Sequence, residues 1–182
     1  MSIEEYMDLR SKFTPDSPVY KQMRNKFFEE HPDCPKPQPI ECLNLIMRRE
    51  FAEEILAGTK RVEIRSYSPH YSDRLYDKNV LAYEDKHWDD ELMRMQMIDF
   101  NDSVRAVKII HFHNYNNSWF LDVECIDNNT VLLVDEQVEF LREEYGCHEF
   151  DEELEQLNRL DAKKRPSYFY FALGRILDTN LF

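Results

Sequence analysis

Glycine is scarce in this chain, which contains only three glycines among its 182 residues. An average usage of about 7% would predict about 13 of them. A Walker phosphate loop needs two glycines before its lysine, and a dinucleotide-binding fingerprint needs three within a short loop. Gly58, Gly146 and Gly174 are too far apart for either motif. The sequence therefore excludes P-loop enzymes and Rossmann-type dinucleotide binding.

Long apolar runs are also missing. The longest aliphatic run, at residues 131–134, is far too short to span a bilayer. Residues 1–6 show no basic region followed by an apolar one, so no signal peptide is predicted. Apolar residues make up 42% of the chain and aromatic residues 13%, which is too rich for a disordered chain. We therefore expect a folded protein located in the cytoplasm.

Metal-binding motifs are absent as well. The four cysteines form no CxxC pair, and without a signal peptide they are expected to be free thiols. His111 and His113 would share one face of a strand, but no third ligand accompanies them. The simpler interpretation is a polar strand surface. We predict neither a metal nor a cofactor.

Negative charge dominates the composition. There are 23 basic and 36 acidic residues, so the formal net charge is −13. Residues 135–161 hold 11 acidic and 2 basic residues, a net charge of −9, which leaves −4 for the rest of the chain. This balance disfavours binding to long duplexes, which depends on many Lys and Arg contacts. Residues 36–65, with 6 basic and 5 acidic residues, are close to neutral.

Prolines indicate how the chain is divided. Four of the eight prolines fall within residues 31–39, and such a stretch is typical of an extended, semi-rigid linker. Helices are predicted before it, at residues 3–13 and 18–30. We therefore predict an N-terminal helical extension with a Pro-rich linker over residues 1–39, and a main domain over residues 40–182.

Hydrophobic periodicity predicts mostly strands in the main domain. One amphipathic helix is predicted at residues 49–57, and two acidic helices are predicted within residues 135–161, the first capped by Asp135 and ended by Gly146. Strands are predicted at residues 43–47, 61–67, 79–83, 104–112, 119–126, 130–134 and 168–177, with a hairpin turn at residues 127–129. This order predicts an α+β fold, namely a small mixed β-barrel with flanking helices and an acidic helical insertion.

The segment GTKRVEIR, which begins at Gly58, carries the chemistry. Arg61, Glu63 and Arg65 are expected to project to one face of the strand that follows the glycine turn. Lys60 and Arg65 are suited to binding a phosphate or polarising a carbonyl. Glu63 is suited to accepting hydrogen bonds from the edge of a nucleic-acid base, or to transferring a proton. A simpler interpretation is that Glu63 only bridges Arg61 and Arg65 on an exposed face.

This segment resembles the G-x-K-x-x-E-x-R signature of the ASCH domain, a member of the PUA-like superfamily. The strand and helix before it match the opening of that family, and so does the predicted strand at residues 79–83. The resemblance covers residues 42–177. It implies a PUA-like β-barrel with a cleft beside the signature, and a role in binding RNA or a modified nucleotide.

The resemblance also implies where the ligand lies. Lys60, Glu63 and Arg65 match the signature, and Gly58 supplies the turn. The predicted ligand-binding residues are Gly58, Thr59, Lys60, Arg61, Glu63, Arg65 and Tyr67. Tyr67, Tyr71 and Tyr76 follow the signature and are suited to stacking on bases.

A hydrolase acting on an N-acylated nucleoside is the first alternative. One bacterial branch of the family is similar in shape and hydrolyses N4-acetylcytidine with a corner Lys, a Thr three residues later and a more distant Glu. Lys60 matches that Lys, but Glu63 stands where the Thr would be, so the threonine route is not carried over. The candidate catalytic residues are then Lys60 and Glu63, with Glu84 as another carboxylate.

A protein-interaction adaptor is the second alternative. The acidic helices at residues 135–161 would form its docking face for a basic partner. Acidic helices are also commonly just solvated surface. The sequence does not distinguish these possibilities, and it does not indicate an oligomeric state.

Overall fold

A computed structural model describes all residues 1–182, and these divide into two compact units. The first unit comprises Met1–Gln38 and Leu75–Arg105, and the second comprises Pro39–Arg74 and Ala106–Phe182. The division into an extension and a main domain at residues 39 and 40 stays a prediction. Residues 75–105 join the N-terminal helices in the first unit, which no composition shift in the sequence indicates.

The secondary structure is mixed and confirms an α+β fold. In chain order the elements are α1 (Ile3–Arg10), α2 (Pro18–Glu30), β1 (Ile40–Ile46), α3 (Arg49–Leu56), β2 (Val62–Ser66), α4 (Pro69–Leu75), α5 (Lys78–Lys86), α6 (Glu91–Phe100), β3 (Val107–His113), β4 (Phe120–Leu132), α7 (Asp135–Tyr145), α8 (Asp151–Arg159) and β5 (Ser167–Thr179). None of these helices has both the length and the apolar character needed to cross a membrane.

The first unit is helical. Helix α1 begins with a capping box in which Ser2 and Glu5 satisfy each other's backbone N–H groups, and Ser17 caps α2. Helix α2 has the predicted bounds. Helices α1, α2, α5 and α6, together with Cys34 from the segment after α2, form a core of Tyr6, Phe27, Cys34, Val80, Tyr83, Met93, Met97 and Phe100. Large aromatic and sulfur-containing side chains thus stabilise this unit.

One five-stranded sheet forms the framework of the second unit. Its strand order is β1-β3-β4-β5-β2, with β1 and β3 parallel and the other neighbours antiparallel. Strands β1 and β2 are the two edges, and the ladders do not close the sheet. The predicted barrel is therefore not confirmed by the strand pairing.

The predicted strand at residues 79–83 is wrong, because these residues lie in helix α5. Asp77 caps this helix by accepting hydrogen bonds from the backbone N–H groups of Asn79 and Val80. Val80 and Tyr83, three residues apart, are its buried side chains. A short apolar run fits a buried strand and a helix equally well, so periodicity alone could not decide here.

The predicted hairpin at residues 127–129 is also wrong. Strand β4 runs through these residues and pairs with β5 on both sides of them, with register shifts between Asp122 and Asp127. Asp127 accepts hydrogen bonds from the hydroxyl groups of Tyr145 and Tyr170, each at 2.8 Å. The polar residues that suggested a turn instead satisfy groups beside an irregular part of the ladder.

Both acidic helices predicted within residues 135–161 are present. Gly146 ends α7 in the left-handed conformation, as predicted, but the N-cap is Val134 and not Asp135, which lies in the first turn. The apolar sides of α7 and α8 pack on the sheet in a core of Val62, Val131, Leu133, Val138, Leu141, Cys147, Phe150, Leu154 and Tyr170. These helices are therefore part of the core of the second unit.

Candidate functional site

A glycine turn positions the signature segment. Helix α3 buries Ala52 and Ile55, and it is followed by Gly58, whose φ is +75°. Only glycine adopts this conformation without strain. The backbone N–H groups of Thr59 and Lys60 both donate to the Glu54 carbonyl, at 3.0 and 3.2 Å. The turn thus holds Lys60 at the start of β2.

A buried carboxylate lies at the centre of the site. Glu63 is only 6% exposed. Its Oε1 atom is 2.7 Å from Nη2 of Arg65, and its Oε2 atom is 3.5 Å from Nζ of Lys60. Glu63 therefore bridges Lys60 and Arg65 in a buried cluster. Arg61 is exposed and precedes the strand, so it does not take part in this bridge.

Arg65 connects the two edge strands of the sheet. Its Nη2 atom donates to the Ile46 carbonyl at the end of β1, at 2.9 Å. Its Nη1 atom donates to the Tyr71 hydroxyl at 3.2 Å. The Nε atom is buried without a hydrogen-bond partner. These bonds fix the guanidinium, and through it the carboxylate of Glu63.

Lys60 is enclosed from several sides. Its side chain is 10% exposed, and its Nζ atom lies 2.7 Å from Oε1 of Glu149 and 5.8 Å from the ring centre of Phe51. Burial disfavours the charged ammonium, but the hydrogen bond to Glu149 and the charge of Glu63 outweigh it and raise the pKa of Lys60. Lys60 therefore stays protonated at neutral pH.

Burial raises the pKa of Glu63 above its usual range, although Arg65 and Lys60 oppose this effect. Raised carboxyl pKa values of this kind occur both in buried ion-pair clusters and at functional sites. Glu63 therefore combines its ion-pair contacts to Lys60 and Arg65 with a raised pKa.

A cavity of about 380 Å³ opens beside Lys60. Thr59, Lys60 and Arg61 line one side, and residues 145–149 line the other. Glu63 and Arg65 are not part of its wall. Lys60 thus lies between the buried Glu63–Arg65 pair and a cavity that is large enough for a small ligand group.

The three tyrosines after the signature have different surroundings. Tyr67 is 49% exposed and stacks on Phe169, with ring centroids 5.1 Å apart and an interplanar angle of 11°. Tyr71 binds Arg65, and Tyr76 pairs with Val104 in the first unit. Only Tyr67 therefore combines a stacked aromatic support with a half-exposed ring.

The remaining candidates lie elsewhere. Glu84 is on α5 in the first unit, where burial raises its pKa. His111 is on β3 with its Nδ1 atom 2.5 Å from Oδ1 of Asp122. No group of three or more His, Cys, Asp or Glu side chains is arranged to hold a metal ion, and the four cysteines are unpaired.

Glu149 and Phe51 are the contacts of Lys60 that the sequence did not predict. Glu149 is 89 positions away from Lys60 along the chain. Its only signal was membership of the acidic segment, which does not indicate a partner. Phe51 lies within the amphipathic helix predicted at residues 49–57, and nothing in the sequence indicates that it reaches Lys60.

A family model for the ASCH domain matches residues 45–169. No curated protein and no solved structure gives a match to the chain. The family match includes the glycine turn, the buried Lys60–Glu63–Arg65 cluster and the acidic helices α7 and α8. Since it extends over more than half of the chain, the protein belongs to the ASCH domain family.

Proposed function

We propose that this ASCH domain binds a short single strand of RNA along β2, with Lys60 contacting a phosphate group and Tyr67 stacking on a base. The observation that carries the proposal is the buried Lys60–Glu63–Arg65 cluster at the signature. Burying charges is costly, and apolar replacements of a buried ion pair are often as stable or more stable. Because stability alone does not require this charged cluster, we infer that the cluster serves to bind a ligand.

The spacing of the two contact points favours a strand over a free nucleotide. Lys60 precedes β2 and Tyr67 follows it. Seven residue steps along an extended strand span roughly 20 Å, which is more than one nucleotide covers. Stacking on an exposed ring tolerates any base and stabilises binding by about 1–3 kcal/mol per base. A few nucleotides lying along the edge strand would reach both residues.

The charge of the chain is consistent with a short ligand. The net charge of −13 disfavours a long phosphate backbone, whereas Lys60 and Arg61 offer two local cations at the cavity. The proposed fold of the binding unit is the PUA-like barrel that the ASCH resemblance implies. The hydrogen bond from Arg65 to the Ile46 carbonyl supports a barrel, because it connects β2 and β1, the two edge strands of the sheet.

Binding of a labelled random-sequence RNA octamer at low salt tests this function. We expect Lys60→Met to weaken binding at least tenfold while the melting temperature shows that the variant is folded. Lys108→Met is the matched control, because Lys108 pairs with Glu41 at an exposed position. Equal binding by all three proteins, or no binding by any of them, would contradict the proposal.

A hydrolase acting on an N-acylated nucleoside is a second candidate, which the raised pKa of Glu63 favours. In this reaction Lys60 would polarise the acyl carbonyl and Glu63 would take a proton from the water that attacks the acyl carbon. The C–N bond would then break, Glu63 would return the proton to the departing nucleoside nitrogen, and the acyl group would leave as a carboxylic acid. The test is a screen of N-acylated nucleosides with the wild-type protein and Glu63→Gln. Turnover by the wild-type protein that Glu63→Gln loses would support the candidate, and equal background would end it.

The adaptor alternative gains no specific support. Helices α7 and α8 contribute Val138, Leu141 and Leu154 to the core, so deleting residues 135–161 would remove part of the fold.

A further inference from the structure

Lys60 has two carboxylate neighbours of very different character. The side chain of Glu63 is 8% exposed and is held by Arg65. The side chain of Glu149 is 48% exposed. The ion pair with Glu63 is therefore a fixed part of the site, whereas the half-exposed carboxylate of Glu149 has room to rotate from Lys60 into solvent.

Glu149 is presented by an anchored loop. It lies between α7 and α8, and its flanking residues Cys147 and Phe150 are buried in the core. The Cys147 backbone N–H also donates to the Leu141 carbonyl. The backbone of this loop is therefore held in place, and rotation of the Glu149 side chain is the movement that frees the hydrogen-bonding position on Lys60.

We propose that Glu149 occupies the position of the ligand's phosphate group and acts as an internal competitor for Lys60. This inference rests on the proposed function, since it names the group that the Lys60 site receives. In the unbound protein the carboxylate of Glu149 satisfies the ammonium. A bound ligand replaces it with an oxyanion of its own.

The charge of the cavity indicates which oxyanion fits. Lys60 and Arg61 are positive there, and Glu54 and Glu149 are negative, so the four charges sum to zero. With Glu149 rotated away, the sum is +1. A phosphodiester group carries a single negative charge and restores neutrality. A phosphate monoester or a polyphosphate carries more charge, so the charge left by Lys60, Arg61 and Glu54 favours a phosphodiester group inside a strand.

Internal competition lowers the apparent affinity by the fraction of molecules in which Lys60 is uncovered. Glu149→Gln removes the negative charge and keeps the shape of the side chain. We expect this variant to bind a random-sequence RNA tetramer about tenfold more tightly than the wild-type protein. An equimolar mixture of the four nucleosides, which have no phosphate, should show no change in affinity.

Glu143→Gln is the matched control. Glu143 is an exposed residue of α7, so this variant loses one negative charge from the same acidic segment without uncovering Lys60. We expect its affinity for the RNA tetramer to stay within twofold of the wild-type value. An equal gain in both variants would mean that overall charge is responsible, and it would overturn the inference. Unchanged or weaker binding by Glu149→Gln would also overturn it, because Glu149 would then only position Lys60.

A titration with inorganic phosphate tests this inference independently of RNA binding. If no protein binds the RNA tetramer, the proposed function fails, but the competition for Lys60 can still be measured. The NMR signal of the Lys60 side-chain ammonium should respond to phosphate at lower concentration in Glu149→Gln than in the wild-type protein. No difference between the two titrations would overturn the internal competition.

Discussion

Two ion pairs in the second unit have nearly the same length and very different surroundings. Nε of Arg49 lies 2.8 Å from Oε1 of Glu53 on the exposed surface of α3. Nη2 of Arg65 lies 2.7 Å from Oε1 of Glu63 in the buried cluster. An exposed pair on a helix contributes little because solvent screens it, whereas a buried charge that loses its partner is strongly destabilising. The distance between the charged atoms therefore does not by itself show how much an ion pair contributes to stability.

The two ion pairs should differ most in the stability that is lost when the carboxylate of each pair is removed. Glu63→Ala leaves Lys60 and Arg65 partly buried without their shared partner, so we expect it to lower the free energy of unfolding by about 3–5 kcal/mol. Urea denaturation measures this loss. Glu53→Ala is the control on α3, and similar losses in the two variants would contradict the distinction between the pairs.

The pH dependence of Glu63 provides a finer test. Its pKa in the folded state is raised by burial, so the folded state binds the proton more tightly than the unfolded state. The resulting stabilisation is complete below the unfolded-state pKa and is lost as pH rises through the folded-state pKa. The wild-type protein should therefore lose stability relative to Glu63→Gln as pH rises above about 4.3, the pKa of a glutamate in the unfolded state. If the stability difference between the two proteins stays constant, or if the wild-type protein gains stability as pH rises, the charges of Lys60 and Arg65 control the pKa of Glu63 more than burial does.

The smallest effect is expected at the exposed pair. Arg49→Ala should change the free energy of unfolding by less than about 1 kcal/mol, and most of that change should disappear at high salt. Chemical denaturation at low and high ionic strength measures both. A loss of several kcal/mol would mean that exposure does not explain the contrast.

Local signals in the sequence predicted much of the framework. Helices α2, α3, α7 and α8 were predicted because amphipathic spacing and helix-ending glycines are encoded over a few neighbouring residues. Gly174 lies within β5, where an added Cβ atom would lie 2.7 Å from Cγ2 of Ile126.

The errors arose where a short pattern had two meanings. The apolar run in α5 also fits a strand, and the polar residues 127–129 also fit a turn. Tertiary packing decides such cases, and a short window of sequence does not contain it.

The sequence predicted only those site residues that lie together in one short segment of the chain. Lys60, Glu63 and Arg65 lie within six positions, so their proximity follows from the chain itself. Glu149 reaches Lys60 only because α7 and α8 pack on the sheet. The burial of Glu63 likewise depends on packing by distant residues, which is why the pattern alone favoured an exposed strand face.

NMR mapping of the RNA tetramer on the labelled protein tests the central claim most directly. The account predicts that the largest chemical-shift changes occur at residues 59–67 and 145–149, including the Lys60 ammonium, and that Lys60→Met removes them. Changes confined to the helical first unit, or changes that persist in Lys60→Met, would contradict it.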